Sequence, residues 1–344
     1  MNAWADSGGE AVAVVGAGSW GTALADLLAR SGRSVRLWCR EPEVAEEISR
    51  EGVNRMFFDG HRLDRVNLTA TSDLEQALRG AGRVVWVCPA QHTRALLERA
   101  AAFFTDRPLI VSGTKGIEVA TLSRMDQVFA DVLGPESSGR FAVLSGPSFA
   151  AEVARGVPTA VVVAALDADD RSEAQALFQT DRFRVYTNPD VVGVEMGGAL
   201  KNVIAVAAGV VSGLDMGHNT VAALITRGLA EMTRLGTSMG AEAATFSGLA
   251  GMGDLVLTCT GALSRNRTVG ERLGRGESVQ AVLEGSKSVA EGVATARAVQ
   301  ALAQRQDVEM PISEEVYRIL VEGADPRDAV QRLMTRAPRS EVWA

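Results

Sequence analysis

The sequence predicts an α/β fold: a Rossmann-like, doubly wound, mostly parallel sheet followed by an all-α C-terminal domain. Three observations predict it. Short apolar runs alternate with helical patterns through the first half, a glycine turn joins the first run to the first helix, and no convincing strand follows Asn188-Pro189.

The first run, Val12 to Val15, passes into Gly16-Ala17-Gly18-Ser19-Trp20-Gly21 and then into the apolar-periodic stretch Thr22 to Leu28. Gly16 permits a tight bend, Gly18 lets backbone N–H groups approach a pyrophosphate at a helix N-terminus, and Gly21 lets the helix lie close to its strand. No side chain in this turn can do chemistry, so a dinucleotide cofactor must supply it. Strands are expected at Ala11–Val15, Ser34–Cys39, Arg83–Cys88, Leu109–Ser112, Phe141–Ser145 and Thr159–Ala164, with helices such as Gln91–Phe103 and Leu122–Leu133 between them. After Phe183 to Thr187, Asn188-Pro189 punctuates the chain. The later helices are expected at Asp190–Val211, Thr220–Met239, Arg265–Leu273, Thr295–Gln304 and Ser313–Glu322. This reading divides the chain into a dinucleotide-binding domain (1–188), a helical substrate-binding and catalytic domain (189–336) and a tail (337–344). Ligands of such a sheet sit beyond the carboxyl ends of its strands, so the helical half should close over that edge.

A chain of 344 residues can bury a large core in about two domains. Its 35 Lys plus Arg against 42 Asp plus Glu give a formal charge of −7, which argues against nucleic acid and requires any anionic ligand to be held by local cations. Cys39, Cys88 and Cys259 fit neither a metal spacing nor a disulfide framework, so a reducing cytoplasm is expected. The first ten residues lack a basic start and an apolar targeting core. Val191 to Leu214 is apolar enough to suggest a membrane span, but Glu195, Lys201, Asn202 and many glycines favour a buried central helix. His61, His92 and His218 are scattered, and no metal is assigned.

Four clusters carry possible chemistry. Gly113-Thr114-Lys115-Gly116 follows a strand and can point a lysine into the ligand crevice; taken alone, a solvated loop lysine is the favoured reading. Ser145-Gly146-Pro147-Ser148-Phe149-Ala150 is another strand end, or a turn with Ser148 as a helix cap. On the central helix, Gly197, Gly198, Lys201, Ala205 and Ala208 share a face by three-and-four spacing, with Val194, Val203 and Ile204 on the core side. A lysine in such apolar surroundings should have a lowered pKa suited to proton transfer, and Asn202 beside it can orient a hydroxyl or carbonyl. Last, Ser247 to Asp254 and Thr258 through Ser264-Arg265-Asn266-Arg267 place backbone donors, a dipole and a guanidinium together, which suits a phosphate monoester; a capped helix with surface arginines is the plainer reading.

Taken in order, Gly16-Ala17-Gly18-Ser19-Trp20-Gly21, Thr114-Lys115-Gly116, Ser145 to Ala150, Gly198-Ala199-Leu200-Lys201-Asn202-Val203, Gly251-Met252-Gly253-Asp254-Leu255 and Ser264-Arg265-Asn266 resemble the bacterial NAD(P)-dependent glycerol-3-phosphate dehydrogenases, from the first strand to about Leu333. The resemblance implies reversible reduction of dihydroxyacetone phosphate to sn-glycerol 3-phosphate, a backbone for glycerophospholipids. It puts the proton acceptor on Lys201, with Lys115 and Asp254 beside it, and substrate contacts on Lys115, Gly146, Ser148, Lys201, Asn202, Asp254, Ser264, Arg265 and Asn266. Cofactor contacts fall on Ser19, Trp20, Arg40, Lys115, Ala150, Arg265, Val289 and Glu291, with Gly16, Gly18 and Gly21 forming the turn. Arg40-Glu41 leaves NADP and NAD both open, since an arginine suits a 2′-phosphate and an acid suits a ribose hydroxyl; Arg40 at the family contact tips the reading slightly to NADP.

Two rivals share parts of this pattern. A hydroxyacid or sugar-acid dehydrogenase would also place a lysine and an asparagine on its central helix, and a redox sensor would bind dinucleotide without a phosphate clamp or a buried lysine. Glycine-rich helices also suggest a homodimer. The loop Gly52–Arg65, with Met56, Phe57 and Phe58, reads either as a mobile cover over the cofactor or as a packed surface loop.

Overall fold

A computed structural model describes residues 11–104, 107–134, 140–284, 291–338 and 340–341, except the side chains of 283 and 291. Eight strands form one sheet: β1 (Val12–Val15), β2 (Val35–Trp38), β3 (Leu68–Thr71), β4 (Arg83–Trp86), β5 (Leu109–Ser112), β6 (Phe141–Ser145), β7 (Thr159–Ala164) and β8 (Phe183–Asn188). Their order in space is β3-β2-β1-β4-β5-β6-β7-β8. Neighbours from β3 to β6 pair parallel; β7 runs antiparallel to β6 and parallel to β8. Chain order reverses between β1 and β4, so the crevice past their carboxyl ends is a topological switch point where a ligand can enter.

Interleaved helices are α1 (Ser19–Arg30), α2 (Pro42–Glu51), α3 (Leu74–Leu78), α4 (Ala90–Ala100), α5 (Met125–Leu133), α6 (Ala150–Ala154) and α7 (Ala168–Phe178). Successive strand residues point to opposite faces, and in the central strands β1 and β5 both faces are dry. Val12 and Val14 of β1 pack with Leu24 and Leu28 of α1 and Phe178 of α7, while Ala13 and Val15 pack with Leu78 of α3, Leu97 of α4 and Phe129 of α5. Each fully buried side chain of this size contributes about 1.5–3 kcal/mol.

Two element readings need correction. β3 was not expected, because Leu68-Thr69-Ala70-Thr71 is an edge strand with one buried residue and hence no apolar run. α5 starts at Met125 instead of Leu122, since Leu122 adopts φ +59° and Arg124 caps the helix. The expected strands at 11–15, 34–39 and 83–88 are each one or two residues longer than β1, β2 and β4.

The second half is helical: α8 (Val191–Gly213), α9 (Gly217–Ser238), α10 (Ala243–Phe246), α11 (Asp254–Thr260), α12 (Arg265–Gly274), α13 (Val279–Glu284), α14 (Glu291–Arg305), α15 (Pro311–Tyr317) and α16 (Pro326–Met334). α8 has the length and hydropathy of a membrane span, yet 89% of its apolar window is buried by surrounding protein. This is the buried central helix expected from its sequence, and even Glu195, Lys201 and Asn202 are buried. Asp190 caps it by accepting from the Gly193 N–H (2.7 Å).

Glycines decide how its neighbours approach. A Cβ on Gly209 would lie 2.0 Å from the Arg267 carbonyl oxygen of α12, and one on Gly270 would lie 1.9 Å from the Val206 oxygen of α8. The small residues that suggested contact with a second copy are therefore engaged within the chain. Glu195 of α8 accepts from the Asp126 N–H (3.0 Å) at the start of α5, tying the helical half to the sheet half. Burial, and then the Asp126 carboxylate beside it, push the Glu195 carboxyl well above its ordinary range.

Candidate active site

The glycine turn lies at the switch point. Gly16, at φ +114°, bends the chain directly after β1, and a Cβ on Gly21 would lie 1.8 Å from the Gly16 oxygen, so α1 can seat against its strand only with glycine there. Around Gly18 the space is open, with nothing within 4 Å of where a Cβ would stand. α1 begins at Ser19 with no side-chain cap, leaving its first N–H groups for an anion. Trp20 Nε1 is buried without a hydrogen-bond partner and lies beside Gly113, past the end of β5. Ser19 Oγ donates to the Phe57 oxygen (2.6 Å), and exposed Arg40, just past β2, pairs with Glu41 (2.5 Å). Ala150 opens α6. Gly52–Arg65 is a packed loop: His61 Nε2 lies 2.7 Å from the buried Asp26 carboxylate, which also accepts from the Asp64 N–H (2.7 Å).

The centre of the site is one buried carboxylate between two amines. Asp254, 2% exposed at the start of α11, takes Lys115 Nζ on Oδ2 (2.7 Å) and Lys201 Nζ on Oδ1 (3.1 Å). Lys115 arrives from the loop after β5 and also donates to the Gly146 oxygen (3.1 Å) after β6. Lys201 arrives from the middle of α8 and donates to Thr258 Oγ1 (2.8 Å), which in turn donates to the Asp254 carbonyl oxygen (2.6 Å). The apolar helix face read around Lys201 is thus joined by polar partners from α11. A carboxylate and a hydroxyl offset the cost of burying its charge. Gly198, one turn away, keeps this space close: a Cβ there would stand 2.9 Å from Ser145 Oγ and 3.5 Å from the Lys115 stem.

Around this centre, Asn266 of α12 donates to Asn202 Oδ1 (2.9 Å) and accepts from the Gly292 N–H (3.0 Å), so the orientation of both amides is fixed. Ser264 caps α12, accepting from the Arg267 N–H (3.2 Å), and Arg265 in its first turn is exposed. Ser148 does not cap α6; its hydroxyl donates to the Gly146 oxygen (3.1 Å), and Phe149 precedes the helix. Val289 lies outside the described residues, as does the side chain of Glu291. Thr258 is the residue that sequence reasoning left without a role. Its position four after Asp254 on a helix was the available signal. All three cysteines are free and buried, and desolvation pushes each thiol up to about 12. Among the described residues no three His, Cys, Asp or Glu side chains gather as a metal site.

Comparison with known proteins agrees with this arrangement. Residues 11–171 match the family model for the NAD-dependent glycerol-3-phosphate dehydrogenase N-terminus, and residues 190–331 match the model for its C-terminus. Glycerol-3-phosphate dehydrogenase [NAD(P)+] of Geobacter metallireducens is 55% identical over 333 residues, 97% of this chain and 99% of that protein. Its counterpart in Geobacter sulfurreducens is 56% identical over 334 residues, with the same coverage. The crystal structure of glycerol-3-phosphate dehydrogenase from Coxiella burnetii superposes with a TM-score of 0.90 at 41% identity, covering 95% of this chain and 99% of that one. With both halves matched in order and the turn, the lysines and the fold in register with the sequence signals, this chain belongs to the NAD-dependent glycerol-3-phosphate dehydrogenase family.

Proposed function

We infer that this chain catalyses reversible hydride transfer between NAD(P)H and dihydroxyacetone phosphate, giving sn-glycerol 3-phosphate for glycerophospholipid synthesis, and that Lys201 moves the proton. The observation that carries the assignment of roles is the Lys115–Asp254–Lys201 cluster, in which two amines share one buried carboxylate at the sheet's carboxyl edge.

When bound, the nicotinamide supplies the hydride to C2 of the ketone or accepts it from the alcohol. Open space at Gly18 and unspent N–H groups at the start of α1 fit its pyrophosphate. During reduction negative charge grows on the carbonyl oxygen, and a fixed cation is worth most in a site shielded from water. Two ammonium groups against one carboxylate leave a net positive charge for that oxygen. Lys201 donates its proton to it; in the reverse direction neutral Lys201 takes the proton from the alcohol. Lys115 polarises the same oxygen, while Asp254 keeps the two amines from repelling each other out of place. Thr258 aims the Lys201 amine. Ser264, Arg265 and Asn266, at the start of α12, hold the phosphate by backbone donors and a guanidinium, and Asn202 orients the substrate oxygen. Gly146 and Ser148 line the substrate side. Ser19, Trp20, Arg40, Ala150, Val289 and Glu291 complete the cofactor site.

The boundary at residue 188 separates a cofactor half from a substrate half, supported by the end of β8 at Asn188 and the start of α8 at Val191. The three buried thiols support a reducing cytoplasm as the compartment. For assembly the reading is a homodimer covering exposed Val256 and Leu263 of the helical half; sedimentation equilibrium should give twice the 36.3 kDa chain mass, and a single chain mass refutes it. The test of function is loss of reduced-nicotinamide absorbance with dihydroxyacetone phosphate, run with NADPH and NADH separately. Turnover is expected with both and faster with NADPH because of Arg40. Cofactor reduction with 3-hydroxy acids, and no turnover with dihydroxyacetone phosphate, would favour the hydroxyacid rival.

A further inference from the structure

The connection between α2 and β3 folds against the glycine turn, and its polar contacts converge on one carbonyl group. Asn54, 0% exposed, donates through Nδ2 to the Ala17 oxygen (2.9 Å) and to Thr22 Oγ1 (2.8 Å). Thr22 Oγ1 donates to the same Ala17 oxygen (3.1 Å). On its other side, Asn54 Oδ1 accepts from the Phe57 N–H (3.2 Å), and the Asn54 oxygen accepts from the Phe58 N–H (2.8 Å). The amide is satisfied at both ends, so it cannot flip without leaving buried donors and acceptors unmatched.

This fixes a peptide plane. Every described peptide bond is trans, and in a trans peptide the C=O and the next residue's N–H point in opposite directions. With the Ala17 oxygen held by Asn54 and Thr22, the Gly18 N–H is turned away from them. A glycine at this position has no side chain to restrain its backbone, so the restraint must come from outside the turn. Asn54 is far from the turn in sequence and supplies it.

We propose that Asn54 is a positioning residue for pyrophosphate recognition: through the Ala17 carbonyl it sets the direction of the Gly18 N–H that meets the cofactor. The proposal rests on the reading of the turn as the cofactor site. Isothermal titration of the full chain with ADP-ribose, which carries the pyrophosphate, and with AMP, which does not, tests it in wild type, Asn54→Leu, Thr22→Val and Thr22→Ser. Asn54→Leu and Thr22→Val should each weaken ADP-ribose about tenfold or more, the size of a lost hydrogen bond to a charged group, and leave AMP within about twofold. Thr22→Ser, which keeps the hydroxyl, should bind both as wild type does. In turnover, the KM for NAD(P)H should rise while kcat at saturating cofactor stays near wild type. Unchanged ADP-ribose affinity in the folded variants overturns the proposal, and so does an equal loss for AMP, which would mean a general structural role. If Asn54→Leu does not fold, Thr22→Val decides by the same criteria. Failure of the wild type to bind ADP-ribose or NAD(P)H would instead overturn the cofactor reading beneath it.

Discussion

Asp254 is one carboxylate holding two cations, and its neighbours set what each cation can do. Lys201 is aimed by the Thr258 hydroxyl at 2.8 Å, so Thr258→Val should cost about 1.5–3 kcal/mol of transition-state stabilisation, read as a fall in kcat with little change in substrate KM. A fall confined to KM would mean that Thr258 serves substrate binding instead. Arg265 is exposed in the first turn of α12, where a cation opposes the helix dipole and an anion relieves it. Arg265→Ala should raise the KM for dihydroxyacetone phosphate by about ten- to a hundredfold, as expected for loss of a charge-assisted contact. An unchanged KM would place the phosphate elsewhere. Lys115 and the Ser264–Asn266 start were legible in the sequence because each sets a charged or polar residue at a strand end or a helix start; Lys201 was legible as a lysine on a small-residue face of an apolar helix, and Asp254 through the resemblance. Thr258 and Asn54 were not, because a threonine in a helix and an asparagine in a loop are ordinary until the fold shows what they touch.

Among elements, α8 is the axis on which the site is built, and α12 is set against it by glycines at both surfaces. A Cβ on Gly270 would meet backbone of α8 at 1.9 Å, an atom that cannot rotate away. Gly270→Ala should therefore destabilise the protein by about 1–3 kcal/mol or more and move the phosphate-binding start of α12, raising substrate KM; chemical denaturation and steady-state kinetics read the two effects. Wild-type stability in this variant would show that the helices can part at no cost. The two covered faces of the sheet were legible as short apolar runs, since a strand buried on both sides shows no alternation. β3 was not, because an edge strand with a single buried residue carries no such run. The start of α5 was misplaced because Leu122 takes a left-handed conformation that its side chain does not advertise.

On the scale of the whole molecule, the helical half is locked together by buried carboxylates as well as by apolar packing. Glu231 of α9 is almost wholly buried and accepts from the Ile312 N–H (2.7 Å), the Ser313 N–H (3.1 Å) and Ser313 Oγ (3.0 Å) at the start of α15. Desolvation outweighs those donors and raises its pKa from 4.5 to about 7. Between those values the folded protein holds a proton that the unfolded chain has released, so this group's stabilisation is full at low pH, declines as pH rises from 4.5 to about 7, and is gone above. Unfolding free energies at pH 5 and pH 8 should differ between wild type and Glu231→Gln by up to about 3 kcal/mol, with the variant showing the flatter slope. Equal slopes would show that Glu231 does not titrate in this window. That the ligand edge lies past the carboxyl ends of the strands, with the helical half closing over it, was expected from strand and helix alternation; the switch point between β1 and β4 required the strand order. The convergence of Lys115 and Lys201 on the Asp254 carboxylate was implied by the resemblance but, from the residues themselves, required the fold, because their spacing along the chain carries no periodic signal. That convergence is the central claim, and Lys201→Met tests it most directly, with NAD(P)H binding and turnover of dihydroxyacetone phosphate measured on the same sample. The account predicts reduced-cofactor affinity near wild type and a loss in kcat of at least about 10²–10⁴-fold; a variant that binds cofactor and turns over at nearly the wild-type rate would contradict it.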